Sequence, residues 1–254
     1  MRVVGADGCR AGWVYVALDG EQGWEGGIAP NVRALWRRFQ AAELILLDVP
    51  IGLKERGHDE RACDVRARRL LGARRSSVFP VPCRAAIYAG TYDEACRINM
   101  ERTGRGLSKQ AWNIAPLIRQ VDELLRSDTR AREMIRESHP ELAFWALNGG
   151  LSMAHYKATP EGEAERLALL RERFPAAEAV VDELTARYPR RDLERDDVID
   201  ALALAVTASG WPEHITSIPL QPEFDAYGLR MEMVYGEVQL TAAGGGTDRI
   251  LDTL

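Results

Sequence analysis

The 254-residue sequence contains no run approaching the roughly 18 consecutive apolar residues that a membrane-spanning helix requires. Its first residues enter a strand-like Val3-Val4-Gly5-Ala6-Asp7 with no secretory leader pattern. No membrane association is expected, and the cytoplasm is the expected location. Cysteine is scarce: Cys9, Cys63, Cys83 and Cys96 form no CxxC pair and have no close histidine at zinc-ligand spacing. A disulfide framework and a structural zinc site are therefore not indicated, and four reduced thiols are expected. With 46% hydrophobic and 28% charged residues and no internal repeat, the chain is neither disordered, collagen-like nor coiled-coil.

What is present is an uneven distribution of charge. The net charge of -5 conceals a stretch, residues 51–119, with 14 Lys/Arg against 7 Asp/Glu, and another, residues 191–254, with 4 against 12. The first suits a polyanionic partner and the second suits divalent cations, although an ordinary set of Arg-rich surface helices gives the same count.

Residues 2–7, 12–19 and about 24–29 read as three short strands in an antiparallel meander, rich in Trp, Tyr and Val and separated by Gly-containing turns. Asn31 is placed to cap a helix through about Gln40, with Val32, Leu35, Trp36 and Phe39 on one face. Leu44-Ile45-Leu46-Leu47 then forms a continuous apolar run ending at Asp48-Val49-Pro50, as expected of a buried, parallel strand. This order predicts a ribonuclease H-like α/β mixed sheet, three antiparallel strands plus parallel strands, with an inserted helical lobe. From Ile51 to about Arg130 the pattern is helical and basic, and Pro116 is expected to open a fresh helix at its first position. Residues 132–137 are expected to add a strand. Thr159-Pro160 starts a helix to about Phe174, a second covers about 176–187, and Asp197–Ala208 is apolar nearly all round. Residues 214–240 read as extended. The expectation is one domain over 1–240, with helical insertions at about 51–130 and 142–190 and a flexible tail at 241–254.

Four carboxylates end apolar elements rather than decorating solvated faces. Asp7 and Asp48 close apolar strands, while Asp197 and Asp200, three apart, share a face of the apolar helix. Brought together they require a counter-charge, which hard divalent cations such as Mg²⁺ or Mn²⁺ provide. Two such ions are the arrangement that clamps the attacking and leaving oxygens in phosphodiester hydrolysis. Each aspartate also has an ordinary use, as a turn residue at Asp7-Gly8 and Asp48-Pro50 or as a helix cap at Asp197. Asp200, one turn inside an apolar helix, is the hardest to explain that way, because an unpaired carboxylate there is costly.

The run Asp197-Val198-Ile199-Asp200-Ala201-Leu202-Ala203 resembles the last-helix D-x-x-D-A-L-A motif of RuvC-type Holliday-junction resolvases. Asp7 stands where their first-strand aspartate lies, and Asp48 where they carry a glutamate. The whole chain more closely resembles the predicted ribonuclease H-like nucleases of domain-of-unknown-function family 429. The resemblance rests on Gly5-Ala6-Asp7-Gly8-Cys9-Arg10-Ala11-Gly12-Trp13, Asp48-Val49-Pro50-Ile51-Gly52-Leu53, Arg61-Ala62-Cys63-Asp64 and Ser76-Ser77-Val78-Phe79-Pro80. It extends through Ser108-Lys109-Gln110, Glu137-Ser138-His139-Pro140-Glu141 and Lys157-Ala158-Thr159-Pro160-Glu161-Gly162. It implies a metal-dependent nuclease with metal ligands at Asp7, Asp48, Asp197 and Asp200 and a further catalytic carboxylate at Glu137. Either Asp48 or Glu137 completes the cluster.

His139 is a candidate for proton transfer or for a structural hydrogen bond. Lys109 and Lys157 are candidates for phosphate contacts, or simple surface lysines. Arg61, Arg68, Ser76, Ser77 and Arg84 are candidates for a phosphate-facing surface, with Arg61 and Asp64 alternatively an internal helix pair. The expected partner is nucleic acid, with DNA and RNA both open, as are monomer and homodimer. Two other readings stand beside it: a nucleotide-phosphate-binding enzyme of the actin or sugar-kinase type, for which a second Gly-rich loop is missing, and a non-catalytic nucleic-acid- or protein-binding member of the fold.

Overall fold

The β-branched and aromatic residues of the N-terminal segment form the expected meander in the computed structural model, which describes residues 1–20 and 23–238. Strands β1 (Arg2–Cys9), β2 (Gly12–Asp19) and β3 (Gly23–Ala29) pair antiparallel. Helix α1 (Val32–Arg38) follows, capped by the Asn31 side chain, which accepts from the Ala34 N–H at 2.9 Å. It delivers the chain to β4 (Leu44–Leu47), wholly buried and parallel to β1. The insertion comprises α2 (Ala62–Leu71), a 3₁₀ turn (Gly72–Ser77), α3 (Arg84–Ile87), α4 (Tyr92–Thr103), α5 (Lys109–Ser127) and α6 (Thr129–Met134). The chain then returns as β5 (Ile135–Glu137), parallel to β4. The sheet order is β3-β2-β1-β4-β5, the ribonuclease H-like arrangement. Beyond it lie α7 (Pro140–Leu147), α8 (Pro160–Arg173), α9 (Ala177–Arg187) and α10 (Arg195–Ala208), then an antiparallel pair, β6 (Ile215–Phe224) and β7 (Arg230–Gly236).

The period of two along a strand sorts the core into two layers. Val3, Leu44 and Leu46 pack with α10, α8 and α9 on one face, whereas Val4, Ala6, Ile45, Leu47 and Ile135 pack with α1 and α5 on the other. Gly5 belongs to the first set. A Cβ there would lie 2.2 Å from the Ala201 carbonyl oxygen and 2.2 Å from the Ala205 nitrogen, so α10 rests its backbone directly on β1.

Several expectations shift. Pro116 lies inside α5 rather than opening a helix. It is exposed, and burial of Ala111, Ala115, Ile118, Val121, Leu124 and Leu125 on the opposite face offsets its cost of about 3 kcal/mol. The strand expected over 132–137 shortens to Ile135–Glu137, because Asp128 caps α6 by accepting from the Ala131 N–H at 2.9 Å and keeps residues 132–134 helical. Helix α10 starts at Arg195, two residues before Asp197. All four cysteines are free. Among the described residues no helix is long and apolar enough to cross a membrane. The tail at 241–254 lies outside the described residues.

Candidate active site

Strand parity and register decide which carboxylates meet. Asp7 continues the parity of Val3 and Gly5, and Asp48 that of Leu44 and Leu46, so both point to the α10 side of the sheet. The parallel register sets Gly5 against Leu46 and Ala6 against Leu47, and the Asp48 N–H donates to the Ala6 carbonyl at 3.0 Å. Asp7 and Asp48 therefore stand side by side on adjacent strand ends. Helix α10, seated on Gly5, adds Asp200, which is 3% exposed.

These groups strain one another electrostatically. Burial raises the proton affinity of Asp7 above the usual carboxylate range, and the charges of Asp48, Asp200 and Asp197 add to it. Burial likewise raises Asp48, opposed by the Lys157 ammonium. Asp200 is pushed up to about 6 by burial, against the pull of Lys157. The Lys157 ammonium is the positive charge inside this group: Nζ donates to Asp200 Oδ2 at 2.7 Å and lies 3.4 Å from Asp196 Oδ2. Its own proton affinity is raised by these carboxylates, burial notwithstanding.

The loop carrying Lys157 is tied down along its length. Arg74 donates to the Met153 carbonyl at 3.0 Å and to the Ala154 carbonyl at 2.9 Å. Glu165 accepts from the Ala154 N–H at 2.8 Å and the His155 N–H at 2.9 Å. The Tyr156 carbonyl accepts from the Thr159 N–H and hydroxyl. Thr159 in turn caps α8 by accepting from the Gly162 N–H at 3.1 Å, and a Cβ on Gly162 would lie 2.0 Å from the Tyr156 carbonyl oxygen. Lys157 is thus a placed residue rather than a loose surface lysine.

The carboxylates border a cavity of about 450 Å³ at the ends of β1, β4 and β5. Asp7, Asp48, Asp200 and Lys157 line one side, and Ser76, Ser77, Val78 and Phe79 with Ile114 and Leu117 of α5 line the insertion side. His139 caps α7: its Nδ1 accepts from the Glu141 N–H at 3.2 Å, so Nε2 carries the proton toward the Ser77 carbonyl at 3.4 Å. Both ring nitrogens are engaged, which favours the structural role over proton transfer.

The other expected residues are engaged in separate contacts, although Glu137 and Arg61 also border the cavity. Glu137 pairs in register with Leu47, on the opposite face from Asp48. Its two oxygens accept from Arg61 at 2.8 Å each, and one also accepts from the Ile51 N–H at 2.6 Å. Burial raises its carboxyl to about 7 even against Arg61. Of the two candidates it is therefore Asp48 that faces Asp7 and Asp200. Arg61, 2% exposed, forks between Glu137 and Asp64 (3.0 and 2.5 Å), which is the internal pair rather than a free phosphate contact. Arg68 pairs with Glu60 and donates to the Val78 carbonyl at 3.1 Å, bracing the cavity loop from behind. Arg84 is consumed by Glu55, Asp122 and Asp225, away from the cavity. Lys109 lies over the Tyr92 ring at 3.3 Å and does not border the cavity. Asp197 accepts from the Glu194 N–H at 3.0 Å at the start of α10, and burial raises it to about 6. It acts on Asp7 through its charge but does not line the cavity.

Among the wall residues that carried no assignment from the sequence are Glu141, Ile114 and Leu117. Glu141 holds buried Arg166 with one oxygen, and its Oε2 is buried without a hydrogen-bond partner. Its position in Glu137-Ser138-His139-Pro140-Glu141 was the available signal. Ile114 and Leu117 follow from the apolar periodicity of α5. As to a metal, Asp7, Asp48 and Asp200 offer hard oxygen donors whose proton affinity is raised by burial, which fits Mg²⁺ or Mn²⁺. Among the described residues no three His, Cys, Asp or Glu side chains are already closed around a cation position.

No curated protein and no solved structure matches the chain. One family model does, described as a protein of unknown function (DUF429), over residues 5–223. The chain belongs to that family.

Proposed function

We propose that this chain is a cytoplasmic metal-dependent hydrolase of nucleic-acid phosphodiester bonds, with Mg²⁺ or Mn²⁺ as its cofactor. The observation that carries the reading is the side-by-side placement of Asp7 and Asp48 on adjacent strand ends with Asp200 facing them, all bordering one cavity. Asp7, Asp48 and Asp200 would hold the cation, with Asp197 adding charge from behind. When bound, it would supply Lewis acidity and charge neutralisation at the phosphoryl group.

The protein's own residues do the rest. Lys157, anchored through Asp200, presents an ammonium to a phosphate oxygen and offsets its charge. Tethering of the 153–157 loop by Arg74 and Glu165 holds that ammonium in place before substrate arrives, so little ordering cost falls on binding. The apolar wall residues limit water around the reacting group.

Calorimetric titration of Mn²⁺ into the protein and into an Asp7→Asn/Asp200→Asn variant, followed by incubation of both with labelled DNA and RNA, tests the reading. Metal binding and strand cleavage in the parent, both lost in the variant, are expected. A folded parent that binds no divalent ion with nucleic acid present overturns it and favours a non-catalytic binding protein.

A further inference from the structure

Resting on the hydrolase reading, we infer that the substrate enters as one unpaired nucleotide at a time, its base in the cavity and its phosphodiester at the carboxylates, so that duplex is excluded. The cavity's volume, about 450 Å³, is that of a small-molecule pocket. Its lining joins Asp7, Asp48 and Asp200 to Ser76, Ser77, Val78 and Phe79 after α2 and to Ile114 and Leu117 of α5, so the carboxylates share one pocket with residues of the insertion. A base held in a duplex reaches such a site only by leaving the stack, which costs least where the strand is already single.

The walls have matching chemistry. Phe79 and Val78 from the loop after the 3₁₀ turn, with Ile114 and Leu117 from α5, give apolar surface of the kind a base face takes. Gln110 and Ser76 line the same cavity and offer hydrogen bonds to a base edge. At the rim Tyr156, 62% exposed, immediately precedes Lys157, so an aromatic ring suited to stacking the neighbouring base adjoins the ammonium suited to the phosphate between them.

The electrostatics agree. Duplex binding relies on many free cations along the backbone. In the basic stretch, Arg61, Arg68 and Arg84 are spent on internal carboxylates. Glu137, Asp122 and Asp225 come from outside residues 51–119, so the excess of positive charge counted in that stretch is partly cancelled inside the fold.

The test uses the full chain with Mn²⁺. Its substrates are a labelled single strand, the same strand in duplex, a free dinucleotide, a thymidine p-nitrophenyl phosphodiester and the baseless bis-p-nitrophenyl phosphate. Thymidine monophosphate binding is followed by calorimetry, and Phe79→Ala and Leu117→Trp are compared with the parent. Expected are single-strand over duplex cleavage and base-bearing over baseless turnover, each by about tenfold or more, and a preference for base cut about tenfold by Phe79→Ala. The ratio of dinucleotide to strand cleavage tells a free dinucleotide from a strand terminus. Equal cleavage of duplex and single strand, or a base preference untouched by both variants, overturns the inference while leaving the hydrolase reading in place. If no diester is cleaved, the hydrolase reading fails. The cavity inference is then decided by binding: thymidine monophosphate bound by the parent and weakened by Phe79→Ala supports it, and no binding overturns it.

Discussion

Lys157→Met removes the ammonium from the carboxylate group while keeping the side chain's length. At 2.7 Å from Asp200 Oδ2, the charge pair is worth about 6 kcal/mol at an effective dielectric constant near 20. Asp200 is 4% exposed on its side chain but Lys157 is 36% exposed, and solvent screening with the ordering of a long side chain brings the net loss to about 3 kcal/mol. The loss depends on pH. Asp200 is raised from 3.8 to about 6 in the folded protein, so the native state binds more protons than the unfolded chain between those values, and stability falls as pH rises through this window. At pH 5 Asp200 is largely neutral and Lys157→Met should cost under about 1 kcal/mol, whereas at pH 8 it should cost about 3 kcal/mol. Urea unfolding of the parent, Lys157→Met, Asp200→Asn and the double variant at both pH values checks this, since the cycle isolates the pair. Equal losses at the two pH values, or additive single effects at pH 8, would refute the assignment of Lys157 as the internal counter-charge.

Two packing changes bear on the same site. Gly5→Ala drives a methyl into the backbone of α10 and is expected to cost about 3 kcal/mol or more and to abolish Mn²⁺ binding, because Asp200 moves with the helix; parental stability by urea unfolding contradicts it. Arg61→Met leaves Asp64 and Glu137 buried without their cation and should cost about 3–5 kcal/mol, largely recovered by adding Asp64→Asn and Glu137→Gln. No recovery in the triple variant would show that the guanidinium's hydrogen bonds to the Ile51 and Gly52 carbonyls matter more than the charges.

The meander, β4 and the caps at Asn31 and Thr159 were legible because strand formers, an apolar run and capping chemistry act locally. Asp7, Asp48 and Asp200 were legible as carboxylates ending or interrupting apolar elements. That Asp48 and Glu137 face opposite sides of the sheet was not, since it turns on the register between β4 and β5, where a slip of one residue would reverse it. Arg61, Arg68 and Arg84 read as a basic surface because Arg61 and Arg84 meet acids such as Glu137 and Asp225, 76 and 141 positions away. Pro116 misled for a related reason: its local cost is visible in the sequence, while the buried face that offsets it is tertiary.

The contact between Gly5 and α10 also dictates when the carboxylate group is assembled. Strand β1 and the helix that covers it lie nearly 200 positions apart, and ribosomes add about 5–20 residues per second. The opening strands therefore emerge some 10–40 s before their cover. During that interval Asp7 and Asp48 have neither Asp200 nor Lys157, and the growing chain carries no assembled carboxylate group. The central strands meanwhile present an uncovered apolar face, so the nascent chain depends on α10 to bury it.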